Sequence, residues 1–478
     1  MSRQPYLTAP QPITTMPPGI PYIVGNEAAE RFSFYGMRAI LTIYMVKHIV
    51  GWHGEQAFYS EEDAKAIYHQ FVASAYFFPI FGALLSDWLL GKYRTIISLS
   101  LVYCLGHLLL ATVPGREGLL IGLTLIAIGS GGIKPCVSAH VGDQFGERNQ
   151  HLLTRVFSWF YFSINFGAFF SQLLTPMLLV WYGPHVAFGV PGVLMGLATL
   201  VFWLGRHKFV HVPPGGTRFL RESFSAEGLQ AVAKLVPIYL CVAMFWALFD
   251  QQGSSWILQL EKMDLHWQLL GWSGRWESSQ IQSVNGLLIL VFIPLFSYVV
   301  YPVLNKLTPM TPLKKMSIGF FITVLAFVAI ALIEEGLEPL DAIAVQAAAE
   351  RNVPVSDVIA EQVAAGQRLS YGWQVLAYVI MTAAEVMISI TGLEFSYTQA
   401  PNRMKSLIMS LWLLAVAVGN QFTSLVNRFI KNPDGTNALP GASYYWFFTA
   451  VIGVTALTFV VIAATYRERR YIQESEPV

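Results

Sequence analysis

The chain has 478 residues, of which 54% are apolar and 12% charged, whereas soluble domains carry about 25% charged residues. That deficit excludes a typical soluble enzyme of this size. The balance of 30 basic against 29 acidic residues excludes the basic footprint of a nucleic-acid binder. With 14% aromatic residues to form interfacial belts, the composition is that of an all-α, polytopic membrane protein.

In chain order, residues 1–20 are a polar, Pro-rich tail without an apolar h-region. No cleaved signal peptide is expected, and the first spanning helix is expected to direct insertion itself. Twelve stretches are apolar for about 20 residues each: roughly 21–49, 66–90, 95–114, 118–139, 153–180, 185–205, 231–258, 280–304, 314–334, 372–399, 404–430 and 443–466. An even number puts both termini on one side. About eighteen of the Lys and Arg residues fall in the loops of that side and about nine in the others, so both termini are expected in the cytoplasm. The segment 206–230, with Pro213, Pro214, Gly215 and Gly216, separates six spans from six. This predicts an N-terminal bundle (21–205), a cytoplasmic linker (206–230), a C-terminal bundle (231–466) and a cytoplasmic tail (467–478). The Ala-rich, acidic loop 335–371 is expected to form short amphipathic helices outside the membrane, either as a stabilising cover or as a partner surface. Cys104, Cys136 and Cys241 lack ligand spacing and read as small buried hydrophobes.

Charges inside the spans carry the functional signal, because each costs a few kcal/mol or more there. In the first span, Glu27, Arg31, Tyr35 and Arg38 recur at helical spacing on one face, with Glu30 beside them. Such a stripe suits a wet cavity rather than lipid. The second span carries His69, whose charge changes nearest neutral pH. The fourth carries Lys134 in IGSGGIKP, where Gly129, Gly131, Gly132 and Pro135 are expected to loosen the helix and offer backbone groups to a ligand. Tyr161 and Asn165 lie one turn apart in the fifth span, and Gln282 and Asn285 share a face of the eighth. The seventh span carries Asp250, and the tenth Glu385 and Glu394, nine residues apart and so on opposite sides of a straight helix. Three cations (Arg31, Arg38, Lys134) against five carboxylates (Glu27, Glu30, Asp250, Glu385, Glu394) leave the interior near −2 when all are ionised. Protons or a cationic group relieve such a surplus, and fixed groups of both signs suit a zwitterion. These features reach a proton-coupled carrier for a small polar solute without naming the solute. No metal-ligand cluster, nucleophile motif or phosphate loop is present, so neither an enzyme nor a cofactor is expected.

Several strings resemble the proton-dependent oligopeptide transporter family, within the major facilitator superfamily. ExxERFxxYG appears as Glu27, Glu30, Arg31, Phe32, Tyr35 and Gly36, GDQF as Gly142 to Phe145, and FYxxINxG as Phe160, Tyr161, Ile164, Asn165 and Gly167. The superfamily loop between the second and third helices appears as Asp87, Gly91, Lys92 and Arg94, with Ala83 where a glycine is usual. AIYHQF and TGLEFSYTQAP resemble the mammalian intestinal and renal members. The linker is too short for the two extra helices that many bacterial members insert. The resemblance implies a major facilitator fold of twelve transmembrane helices in two six-helix bundles. It implies a proton-coupled symporter importing di- and tripeptides by alternating access, in the plasma membrane (the inner membrane of a bacterium) and functional as a monomer. By the same resemblance, Glu27 and Glu30 join proton coupling, and Arg31 and Lys134 face the peptide carboxylate. Glu385, with Asn165 and Asn285, takes the amino group, and Tyr35 and Tyr161 line the pocket. Arg38, His69 and Asp250 form the outer gate, with His69 and Asp250 as proton sites; Glu394 has no assigned role. The alternatives are a nitrate or other anion carrier of the same family and a receptor that senses peptides.

Overall fold

The computed structural model describes residues 6–214, 216, 226–399, 405–432 and 436–466. Among these, eleven helices are long and apolar enough to cross a membrane: Glu61–Leu90, Lys92–Thr112, Gly115–Gly142, Gln150–Tyr182, Pro184–His207, Val232–Leu260, Ser278–Leu307, Pro312–Arg351, Gly372–Ser396, Ile408–Phe429 and Ala442–Thr465. The first helix, Ile20–Ile43, is also long enough at about 36 Å. It falls outside the apolar set because of its charged stripe. With it the spanning helices number twelve among the described residues, and they are numbered first to twelfth below.

The helices form two compact units. One comprises 1–58, 70–233 and 400–417, the other 59–69, 234–399 and 418–478. In the first unit, the first helix packs on the fifth and sixth, and the third on the fourth and sixth. Glycines set how closely they approach. A Cβ on Gly167 of the fifth helix would lie 2.4 Å from the carbonyl oxygen of Ala28, and one on Gly36 would meet Thr175 at 2.6 Å. One end of the unit is held by the GDQF string. Lys92 Nζ donates to both Asp143 oxygens at 2.9 and 2.7 Å, and Gln144 Oε1 accepts from the Val210 amide at 2.9 Å. The linker residues 217–225 lie outside the described residues.

In the second unit, the ninth helix packs on the tenth and twelfth, and the eighth on the tenth. Residues 59–69, the start of the second helix, belong here. Ser424 Oγ donates to the Ala66 carbonyl at 2.8 Å, and His69 meets Ser254 and Asn420.

One expectation is corrected. The ninth helix does not stop near 334; it continues unbroken to Arg351, where Asn352 ends it in the left-handed conformation (φ 51°). One short helix, Val355–Ala364, then folds back, and Arg351 grips Glu361 through two bonds of 2.6 Å. Beside the helices, the described residues hold one small two-stranded sheet. An antiparallel hairpin pairs His266–Leu269 with Trp272–Arg275, its turn made by Leu270 and Gly271, both at positive φ. Buried Arg368 ties these outer segments together, donating to Asp341 at 2.5 Å and to Gln362 at 2.8 Å. Lys262 pairs with Glu334 at 3.0 Å and Asp341 at 3.2 Å. Burial disfavours the Lys262 ammonium, but the attraction of Glu334 and Asp341 outweighs it and holds this amine above its ordinary range.

Candidate functional site

The first unit carries a buried ion cluster on the first helix. Glu27 and Glu30 are almost wholly buried and Arg31 nearly so. Arg31 Nε lies 2.7 Å from Glu27 Oε1 and 3.2 Å from Glu30 Oε2. Ser130 of the fourth helix donates to Glu30 Oε1 at 2.8 Å. Spacing of four puts Glu27 on the face of Arg31, and Glu30 reaches the same guanidinium from the adjacent position. A buried charge group of this kind costs desolvation and is weak evidence for stability, so its presence points to function. Lys134 sits beside it, with Nζ 4.1 Å from the ring centres of both Phe34 and Tyr76. That ammonium is buried and has no hydrogen-bond partner among the described residues. The rings supply a cation–π field but no acceptor, which leaves the donors of Lys134 available to an anion.

The glycines around Lys134 do not loosen the helix as expected. Gly115–Gly142 is continuous, and its glycines serve packing. A Cβ on Gly129 would strike Tyr103 at 2.7 Å, and one on Gly131 would lie 2.7 Å from the Ala75 carbonyl oxygen. Gly132 faces Gly82 of the second helix, where a Cβ would come within 2.1 Å of the Gly132 oxygen. Tyr35 and Asn165 are half-buried, as is Arg38 one turn beyond Tyr35. Tyr161 belongs to the fifth helix, and its side chain lies outside the described residues. Asn26, passed over in the sequence, is buried, and neither amide atom is hydrogen-bonded among the described residues. Its signal was its place next to Glu27 in a span.

The second unit carries two further groups. Glu385 ends a regular α-helical stretch, and a π-helical turn, Val386–Ile390, comes directly after it. Such turns often mark functional sites. Asn285 Nδ2 donates to Glu385 Oε2 at 2.8 Å and to Thr382 Oγ1 at 3.0 Å. Gln282 instead donates to the Ser279 carbonyl at 3.2 Å. The extra residue of a π turn rotates the next helical turns back by about 100°. Glu394 is therefore not opposite Glu385, as a straight helix would place it, and it is exposed.

The second group is a buried chain of three side chains. His69 Nδ1 lies 2.7 Å from Asn420 Oδ1 and Nε2 lies 2.9 Å from Ser254 Oγ. Asn420 Nδ2 donates to Asp250 Oδ2 at 2.6 Å. With Asp250 a carboxylate, the Asn420 amide nitrogen must face it, and the amide oxygen is left to accept from His69. The hydrogen of a neutral His69 then resides on Nδ1, and a further proton enters at Nε2, beside Ser254. The sequence pointed to His69 and Asp250 but missed Asn420, which joins them. An amide in the apolar run LAVAVGNQF was the available signal.

Comparison with known proteins identifies the family. The sequence model of the POT family matches residues 93–226 and 221–447. Solute carrier family 15 member 2 of Mus musculus is 29% identical, over 95% of this chain and 90% of that protein. Peptide transporter family 1 of Drosophila melanogaster is 36% identical over 67% of this chain and 48% of its own length. A crystal structure of an auto-inhibited POT family peptide transporter superposes with a TM-score of 0.78 at 33% identity, covering 96% of this chain and 99% of that one. The relatives are transporters rather than enzymes. With twelve spanning helices, buried intramembrane charges and a family match across most of its length, the chain is a multi-pass membrane protein that belongs to the POT family of the major facilitator superfamily.

Proposed function

We propose that this protein is a proton-coupled symporter that imports di- and tripeptides by alternating access, acting as a monomer in the plasma membrane with both termini cytoplasmic. The observation that carries the reading is the buried Lys134 ammonium, without a hydrogen-bond acceptor and next to the Glu27–Arg31–Glu30 cluster. It is matched by a carboxylate, Glu385, oriented by Asn285. A peptide presents one carboxylate and one ammonium, the complements of these groups. Arg31 and Lys134 take the carboxylate, and Glu385 takes the amino group. Tyr35, Tyr161 and Asn165 line the pocket. Glu27 and Glu30 couple protons to peptide binding, because protonating either one weakens the hold on Arg31. His69 and Asp250 are the outer proton sites and, with Arg38, the outer gate. A carrier of nitrate needs no amine-binding carboxylate, so Glu385 speaks against that reading.

The test is uptake of labelled dipeptide into proteoliposomes under a pH gradient that is acid outside. Wild type should accumulate peptide uphill, which a sensing receptor would not. Glu30→Gln should lose uphill uptake while retaining counterflow, which needs no net proton movement. Equal loss of both would assign Glu30 to binding or folding instead.

A further inference from the structure

Apart from these groups, the second unit holds a cavity of about 70 Å3 where the second and twelfth helices begin and the seventh ends. Glu61, Glu62, Lys65, Gln259, Lys262, Glu334 and Tyr444 are among its lining residues. Some of these satisfy one another. Lys262 pairs with Glu334 at 3.0 Å, and Glu62 accepts from Asn437 at 2.9 Å. Three further groups of the lining are not satisfied in this way. Lys65 is only 7% exposed. Its ammonium lies 4.6 Å from the centre of the Tyr444 ring and makes no hydrogen bond or ion pair among the described residues. Gln259 is 1% exposed. Its Nε2 donates to Glu334 Oε2 at 2.8 Å and to the Ile330 carbonyl at 3.2 Å, but its Oε1 has no partner among the described residues. Glu61, one turn before Lys65 on the same helix, supplies a carboxylate at the rim.

Burying an ammonium and an amide oxygen without partners is costly, and an aromatic face compensates only part of it. The lining carries three carboxylates and two ammonium groups. A simple anion would meet net negative charge, and a simple cation would meet the bare Lys65. A molecule with both charges answers both: its carboxylate goes to Lys65, and its ammonium to Gln259 Oε1 and Glu61. The volume sets the size, at about five water-sized positions, and glycine has five non-hydrogen atoms. We propose that this cavity is a binding site for a small zwitterion, a free α-amino acid the size of glycine or alanine. It shares no residue with the groups assigned to the transported peptide and does not depend on that assignment.

Saturation-transfer NMR of glycine with the purified full chain tests this. The expected result is a saturable signal that persists in Glu385→Ala and weakens at least tenfold in affinity in Lys65→Met. N-acetylglycine, which lacks the ammonium, and glycine methyl ester, which lacks the carboxylate, should each compete at least tenfold less well than alanine. Dipeptide uptake should be unchanged in Lys65→Met, which also shows that the variant folds; if it does not fold, Gln259→Met carries the same expectation. Absence of a saturable signal up to about 50 mM would mean that the cavity holds water only. A signal lost in Glu385→Ala but kept in Lys65→Met would place glycine in the peptide site. Either outcome overturns the proposal.

Discussion

Replacing Asn420 by leucine removes the joint between His69 and Asp250 at nearly constant volume. All three side chains are at most 2% exposed, so water does not readily replace the lost amide. The bond to Asp250, at 2.6 Å, is to a charged acceptor and contributes about 1.5–3 kcal/mol, whereas the contact with His69 is a neutral pair contributing about 1 kcal/mol. Deleting the amide also takes one hydrogen-bond partner from a buried imidazole and one from a buried carboxylate. Asn420→Leu should therefore lower stability by about 3–5 kcal/mol. In an Asp250→Asn background the acceptor is already neutral, and the same change should cost about 0.5–2 kcal/mol less. Denaturant unfolding of the four proteins in mixed micelles measures this cycle, and uphill peptide uptake by the single variants reports its functional consequence. Losses that add to within about 0.5 kcal/mol would refute the bridge and leave Asn420 as an independent packing residue.

The remaining expectations concern both units. Acetylating the peptide amine should weaken binding to wild type strongly but to Glu385→Ala little; full additivity in binding measurements would remove Glu385 from the amine. Lys134→Ala should abolish binding of peptides with a free carboxylate while costing less for peptide amides, as competition against labelled peptide would show. Gly82→Val should be destabilised by about 1–3 kcal/mol or more through overpacking, because even a Cβ lies 2.1 Å from the Gly132 oxygen; wild-type thermal stability would contradict the close crossing. Lys262→Met should destabilise the second unit equally at pH 6 and pH 8.5. An amine held above its ordinary range contributes stability that is complete below its unfolded value and is lost only as pH rises through its folded value, here above 10.5. A loss that differs between those two pH values would show that another titrating group governs this network.

The spans were legible because twenty apolar residues in a row have few other fates, and the stripe on the first helix was legible because a period near 3.6 survives in any helix. What escaped was tertiary. The glycines beside Lys134 look the same in sequence whether they loosen a helix or admit a neighbour, and only the facing Gly82 and Tyr103 decide between the two. The partner of His69 and Asp250 lies 170 residues from Asp250, beyond any spacing rule. The hairpin at 266–275 was missed because Leu270-Gly271 is a poor turn signal, with leucine at a φ of 50° where Asn or Asp is usual. The ninth helix outran its expected end because the Ala-rich stretch after residue 335 is a strong helix former in its own right.

The charged stripe of the first helix also bears on how the chain enters a membrane. Arg31 near the centre of Ile20–Ile43 costs about 2.5–3.5 kcal/mol to insert, and Glu27, Glu30 and Arg38 add comparable amounts. Its Ile, Leu, Val and Phe side chains, eight in all, return about 0.3–0.6 kcal/mol each. The balance runs against insertion of this helix on its own. It can remain in the bilayer only when the Ser130 hydroxyl, its own ion pairs and the closely packed fifth helix are present to receive it. During synthesis this helix would thus settle late, waiting at the surface or in the insertion machinery until the helices made after it provide its surroundings.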